Sequence, residues 1–166
     1  MRWILDACTL IYLVKANLFK MFMNVVSNPV VIDSSVFQEV IVVGKEHQYP
    51  DAFEAESLLN EYHIPVISID VSNELFRFVD PGETSCYILA KEEGICITSD
   101  DRAYRKFHQT NLSAMRIDSF FYLKFQRNNI TKLQFLEILN KLESIYATKP
   151  KSVLFYLQKI QNIEED

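Results

Sequence analysis

Glycine is scarce in this chain of 166 residues: three in all, beside five prolines and one tryptophan. That scarcity excludes collagen-like and linker-like architectures, and no segment repeats. Cysteine is sparse too. Cys8, Cys86 and Cys96 are an odd number set within apolar runs, with no Cys-x-x-Cys and no Cys/His cluster at zinc spacing. A disulfide scaffold is excluded, and a reducing, cytoplasmic setting is expected. No apolar stretch nears the roughly 20 residues of a membrane span. The opening Met1-Arg2-Trp3-Ile4-Leu5-Asp6 reaches an acid too soon for a signal-peptide core.

Positive charge is in deficit, with 17 Lys and Arg against 22 Asp and Glu for a net charge of -5. The deficit is local. Residues 1–97 hold six Lys and Arg against 14 Asp and Glu, net -8, whereas residues 98–166 hold 11 against eight, net +3. The second part suits a polyanion that the first would repel. What the chain has in quantity is apolar matter, 49% hydrophobic and 13% aromatic residues, enough for one domain with one core.

Short runs rich in Ile and Val recur at Trp3–Leu5, Val30–Ile32, Ile64–Ile67, Ile95–Ile97 and Met115–Ile117. Each is too short for a helix and apolar throughout, as buried parallel strands are. Between them, helical spacing predicts helices over Thr9–Val26, Ser35–Val43, Asp51–Tyr62, Gly82–Glu93 and Asp101–Gln109. This alternation predicts an α/β sandwich around a parallel sheet. Helices alone follow, over Ser119–Arg127, Thr131–Ile145 and Ser152–Ile163, with Lys149-Pro150-Lys151 as the hinge before the last. In the second of these, Leu133, Leu136, Leu139 and Leu142 join Phe135 and Ile138 in one broad apolar face.

Strands here end in acids: Asp6, Asp33, Asp70, Asp100 with Asp101, and Asp118 each follow an apolar run within a few residues. An aspartate between strand and helix is an ordinary N-cap, and Asp33 and Asp70 are read as caps. Glu39 and Glu83 change the weighting for the others. Asp6, Glu39, Glu83 and Asp100 all fall in the first or second turn after a strand or tight turn, where an open sheet gathers its site along one edge. Four mutually repelling carboxylates on one edge point to a hard divalent cation, Mg²⁺ or Mn²⁺, which favours all-oxygen sites.

Leu5-Asp6-Ala7-Cys8-Thr9-Leu10-Ile11, the helix with Val36 to Glu39-Val40, Pro81-Gly82-Glu83-Thr84-Ser85-Cys86-Tyr87-Ile88-Leu89-Ala90, and Ile97-Thr98-Ser99-Asp100-Asp101-Arg102-Ala103-Tyr104-Arg105 stand in order along the chain. Together they resemble the four acidic motifs of the PIN domain. The Gly-Glu and Asp-Asp-Arg-Ala-x-Arg forms resemble a VapC-related branch of toxin nucleases. Cys8 departs from the Asn or Ser often found at its place. The resemblance implies a three-layer sandwich with a five-stranded parallel sheet of order 3-2-1-4-5. It implies a PIN-like unit over residues 1–128, and a helical extension over 129–166 packed on the same domain. It further implies a metal-dependent endoribonuclease acting on RNA, with one or two Mg²⁺ or Mn²⁺ ions. A small protein antitoxin and a homodimer or larger assembly would be its partners.

In that sheet order the first and fourth strands are neighbours, which makes Asp6 and Asp100 the central metal ligands, with Glu39 and Glu83 completing a catalytic pocket. Asp101 is an outer ligand or the cap of its helix. Arg102 and Arg105, with Lys106 and His108, hold substrate phosphates or form a solvated helix face, and Thr9 is a further substrate contact. Two other readings compete. A haloacid dehalogenase-like phosphatase also uses an aspartate after the first strand, but it needs a second two residues later, where Cys8 stands. A non-catalytic PIN-like binding module would have no reason to keep all four acids.

Overall fold

The computed structural model describes residues 1–74, 80–92 and 94–164. Five parallel strands form one sheet: β1 (Arg2–Leu5), β2 (Val30–Asp33), β3 (Val66–Ile67), β4 (Gly94–Ile97) and β5 (Ala114–Met115). Their order is β3-β2-β1-β4-β5, the expected 3-2-1-4-5. β1 lies at the centre, with Ile4 opposite Val31 on one side and Cys96 on the other. Ile4, Leu5, Ile32, Cys96 and Ile97 are fully buried, because helices cover both faces of the sheet. β1 and β4 approach closely at Gly94, where an added Cβ would lie 2.2 Å from Ile4 Cδ1 and 3.0 Å from the Leu89 carbonyl oxygen.

The helices are α1 (Ala7–Lys15), α2 (Phe19–Val25), a third that runs from Ser34 to Glu46, α4 (Pro50–Glu61), α5 (Pro81–Lys91), α6 (Asp101–Gln109), α7 (Ile117–Gln126), α8 (Lys132–Ser144) and α9 (Pro150–Glu164). The single helix expected over Thr9–Val26 is two, broken at Asn17, whose φ of 52° ends α1 and lets Leu18 and Phe19 turn into the core. The third helix, α3, begins as α over Ser34–Phe37, widens to a π-helix over Gln38–Val43 and closes as α over Gly44–Glu46. β5 ends two residues earlier than expected, at Met115. Ile117 opens α7 instead, so Asp118 sits inside a helix and not at a strand end. The expected end of α5 at Glu93 lies outside the described residues.

Helices α7 to α9 build an aromatic cluster. Phe120 packs edge-on to Trp3 with centroids 5.2 Å apart and against Phe22 at 4.8 Å, while Phe125 stacks on Phe135 at 5.5 Å. These rings are core: Phe120, Phe121 and Phe135 are fully buried, while Phe155 on α9 is half exposed and Tyr146, between α8 and α9, is almost fully exposed. α8 starts in a capping box between Thr131 and Gln134. Its face is narrower than the leucine spacing predicts. Phe135, Ile138, Leu139 and Leu142 are buried, but Leu133 is 76% exposed. A strict three-residue spacing drifts by about 60° per step on a helix of 3.6 residues per turn, so Leu133 and Leu142 face opposite ways. No helix among the described residues is long and apolar enough to cross a membrane.

Candidate active site

The carboxyl ends of β1 and β4 lie side by side, tied by the Asp6 amide donating to the Ile97 carbonyl at 3.3 Å. Asp6 and Asp100 follow those ends and cap α1 and α6. Asp6 Oδ1 accepts from the Thr9 amide at 2.7 Å, and Asp100 Oδ1 accepts from the amides of Arg102 at 2.8 Å and Ala103 at 2.7 Å. Capping uses one oxygen of each. The Thr98 hydroxyl joins the pair by accepting from the Asp100 amide at 3.2 Å and bonding the Asp6 carboxylate.

These two acids, with Glu39 and Glu83, line one cleft of about 120 Å³ together with Ala7, Cys8, Asp80 and Gly82. The four acids grouped from sequence are thus neighbours in space. Glu39 arrives from the π-helical part of α3, a distortion that recurs at functional sites. Glu83 stands in the first turn of α5. Asp80 is the acid that sequence reasoning missed: its Oδ1 caps α5 by accepting from the Glu83 amide at 2.9 Å. Asp80-Pro81, an aspartate before a proline at a helix start, is the signal that could have found it.

Among the described residues no Lys, Arg or His lines the cleft. Burial raises the Asp6 carboxyl above its ordinary pKa, against the bonds from Thr98 and Thr9, and the Asp100 charge adds to the rise. Glu39 is raised by burial, then by Asp80 and Asp6. Glu83 is raised by burial, then by Asp100 and Asp80, with Lys106 and Arg102 opposing. Burial and the same ring of acids push the Cys8 thiol up to about 12, so it is no thiolate at neutral pH.

The donor set fits a hard cation. All five acids offer oxygen, and the cleft of about 120 Å³ leaves room for water beside an ion, which a hydrated Mg²⁺ requires. Gly82 keeps that room open, since a Cβ there would lie 3.1 Å from Asp80 Oδ1 and 3.9 Å from Glu39 Oε2. The acids border the space without closing on a point: among the described residues no three His, Cys, Asp or Glu side chains are arranged to hold a metal ion.

Two expected contacts, Thr9 and Asp101, fall elsewhere. Thr9 is fully buried and its hydroxyl donates to the Ile97 carbonyl at 2.9 Å, so it positions Asp6 and is closed to substrate. Asp101 is not the cap of its helix. It faces away from the cleft and pairs with Arg116 and Lys149, the cap being Asp100. Asp118 is buried under α9, where Thr148 Oγ1 and the Tyr156 hydroxyl approach it at 3.4 and 3.5 Å. Arg102 and Arg105 are exposed on α6, the Arg105 Nε donating to the Asp101 carbonyl at 3.1 Å.

A parallel sheet of this order, sandwiched by helices and edged with acids, defines a PIN-like α/β protein. A family model described as PIN domain matches residues 2–117, and the chain belongs to that family. The PIN domain is a nuclease-type fold, which sets the phosphatase reading aside. Among solved structures, the chain is similar to a domain of a functionally unknown protein from Methanocaldococcus jannaschii DSM 2661. The two share 19% identity at a TM-score of 0.50, over 70% of this chain and 90% of that one. That likeness is one of fold. No curated protein matches the chain.

Proposed function

We propose that the protein is a divalent-metal-dependent endoribonuclease of the VapC-related kind, the toxin of a toxin–antitoxin pair acting in the cytoplasm. One observation carries the nuclease reading: five carboxylates from four segments line a single small cleft, and among the described residues no basic side chain lines it with them. Asp6 and Asp100 hold the cation, with Glu39, Glu83 and Asp80 directly or through water. A bound Mg²⁺ or Mn²⁺ supplies positive charge for the phosphodiester transition state and lowers the pKa of water. The chain's own acids do the rest. Glu39 and Glu83, whose proton affinity is raised by burial, are placed to take the proton from the attacking water as its oxygen bonds phosphorus and the opposite ester oxygen leaves. Arg102 and Lys106, close enough to Glu83 to oppose its rise, supply positive charge at the rim for a phosphate.

The toxin reading rests on the forms Gly82-Glu83 and Asp100-Asp101-Arg102-Ala103-Tyr104-Arg105. It carries with it a small antitoxin and a homodimer or larger assembly, with residues 1–128 as the nuclease unit and 129–166 as its extension. The test is cleavage of RNA by purified protein with Mg²⁺ or Mn²⁺ and in excess EDTA. Cleavage that needs the metal and is lost in Asp100→Asn supports the reading; full activity in EDTA overturns it.

A further inference from the structure

A second cavity, of about 620 Å³, opens on the first half of α9 and is lined by Arg116, Lys151, Ser152, Phe155 and Gln158 among others. It meets a smaller one of about 310 Å³ formed by Asp101, Tyr104, Arg105 and Arg116, with Arg116 common to both. Asp101 in turn follows Asp100 of the acid cleft. The cleft and the groove along α9 thus lie on the two sides of the start of α6, with Arg102 and Arg105 exposed on that helix.

The walls of this groove combine charge with rings. Lys151 is exposed and makes no ion pair among the described residues. Phe155 is half exposed, and Lys159 Nζ stands 5.6 Å from its ring centre, while the Arg116 guanidinium lies 5.2 Å from the ring centre of Tyr104. Two acids also line these cavities, Asp101, which is paired with Arg116 and Lys149, and Asp118, which is held by bonds from Ser119 and Thr148; among the described residues no acid pairs with Lys151 or Lys159. In a chain of net charge -5, this concentration of Lys and Arg beside an exposed ring is complementary to a polyanion with unpaired bases. Backbone-tracking cations next to a stacking ring are how single strands are held, whereas a duplex hides its bases from such a ring.

We propose that the groove between Arg116 and α9 binds single-stranded RNA flanking the scissile bond, with Lys151 and Arg116 meeting phosphates and Phe155 stacking on a base. The proposal rests on the nuclease reading, and extends it to residues beyond the 2–117 that the family model matches. It makes α9 part of the substrate-binding surface.

The test measures binding and cleavage separately. Anisotropy of a labelled single strand of about 20 nucleotides, on the non-cleaving Asp100→Asn background, is compared with and without Lys151→Ala and Phe155→Ala. Both positions are exposed, and circular dichroism checks that the variants fold. The pair should weaken binding about tenfold, and Lys151→Ala alone should lower the salt slope by about one. In the otherwise native protein, the pair should slow cleavage of that strand about tenfold more than cleavage of one of about four nucleotides, which is too short to span cleft and groove. Unchanged affinity and salt slope, or equal losses on both lengths, would overturn the proposal. If native protein cleaves RNA but the variants bind as before, the groove falls and the nuclease stands. If nothing is cleaved yet the variants lose binding, the reverse holds.

Discussion

Asp100 and Asp101 are adjacent in the chain and live in opposite surroundings. Asp100 shares the cleft with four other carboxylates and, among the described residues, no cationic side chain, whereas Asp101 is held between Arg116 and Lys149. The cause is geometric. Successive residues at a helix start are about 100° apart around the axis, so a cap and the next residue address different faces. One face is left with uncompensated charge and the other is neutralised on folding. The contrast teaches that adjacent acids can be left unmatched on one face and paired on the other, and that the unmatched ones are those gathered in the candidate cleft.

The sharpest break of that comparison is charge removal on both sides of it. Asp100→Asn should cut RNA cleavage by more than about a hundredfold, beyond the loss typical of an outer-shell partner. Its metal-free melting temperature should hold or rise, because one member of a repelling set is gone. Asp101→Asn should leave turnover on a short strand within about threefold. It should lower stability by at most about 1 kcal/mol, as partly exposed ion pairs do. Thermal melts and initial rates on the two variants decide the matter; a larger activity loss in Asp101→Asn than in Asp100→Asn would invert the assignment.

Next in size is the strand pair from which Asp6 and Asp100 both hang. Gly94→Ala would push a methyl into Ile4 and should destabilise by about 1–3 kcal/mol, measurable by urea unfolding. Smaller still, Gly82→Ala should weaken divalent-ion affinity without unfolding the protein, since its Cβ meets only the Asp80 and Glu39 carboxylates and Val36 at 3.1 Å or more. Titration calorimetry with Mn²⁺ reads this directly, and equal affinity would show that Gly82 keeps no room for the ion.

The pH dependence is the finest measure. Asp6, Glu39 and Glu83 all bind a proton more tightly folded than unfolded. Their contribution is therefore complete below the ordinary carboxylate range and is lost as pH rises through their raised folded values. In EDTA the protein should melt higher near about pH 5 than near about pH 8, and Asp6→Asn should flatten the difference. Divalent metal should reverse the trend and release protons on binding. A melting temperature in EDTA that climbs from acid to neutral pH would contradict the unmatched-charge account.

Much of this was legible because buried parallel strands leave short apolar runs that end in polar residues. Trp3–Leu5, Val30–Ile32 and Ile95–Ile97 each fall within a residue of the observed strands, and their order in space follows the family pattern. Asp6, Glu39, Glu83 and Asp100 were found because the sheet edge collects the side chains that come just after its strands. Asp80 was missed because its carboxylate reaches the cleft as the cap of a proline-started helix. The break at Asn17 was hidden because apolar spacing runs on through it; only the left-handed backbone, which Asn tolerates, marks it. Thr9 reads as a polar group beside the cleft, but helical rotation turns its hydroxyl inward to Ile97. The pairing of Asp101 depends on Lys149, 48 residues away, and no local pattern shows it.

The widened turn at Gln38–Val43 has a consequence for how the chain tolerates insertions and deletions. A π segment takes more residues per turn than an α-helix over the same path, so it stores slack between Glu39 and Gly44, where an added Cβ would come within 2.8 Å of the Ala52 Cβ. Taking out one residue there, Val42 for example, lets the helix tighten to ordinary α geometry while Gly44 keeps its seat against α4, and Glu39 must swing about the axis to compensate. Length variation at this point thus acts on one corner of the cleft and on the core together, because Val40 and Ile41 of the same segment are buried.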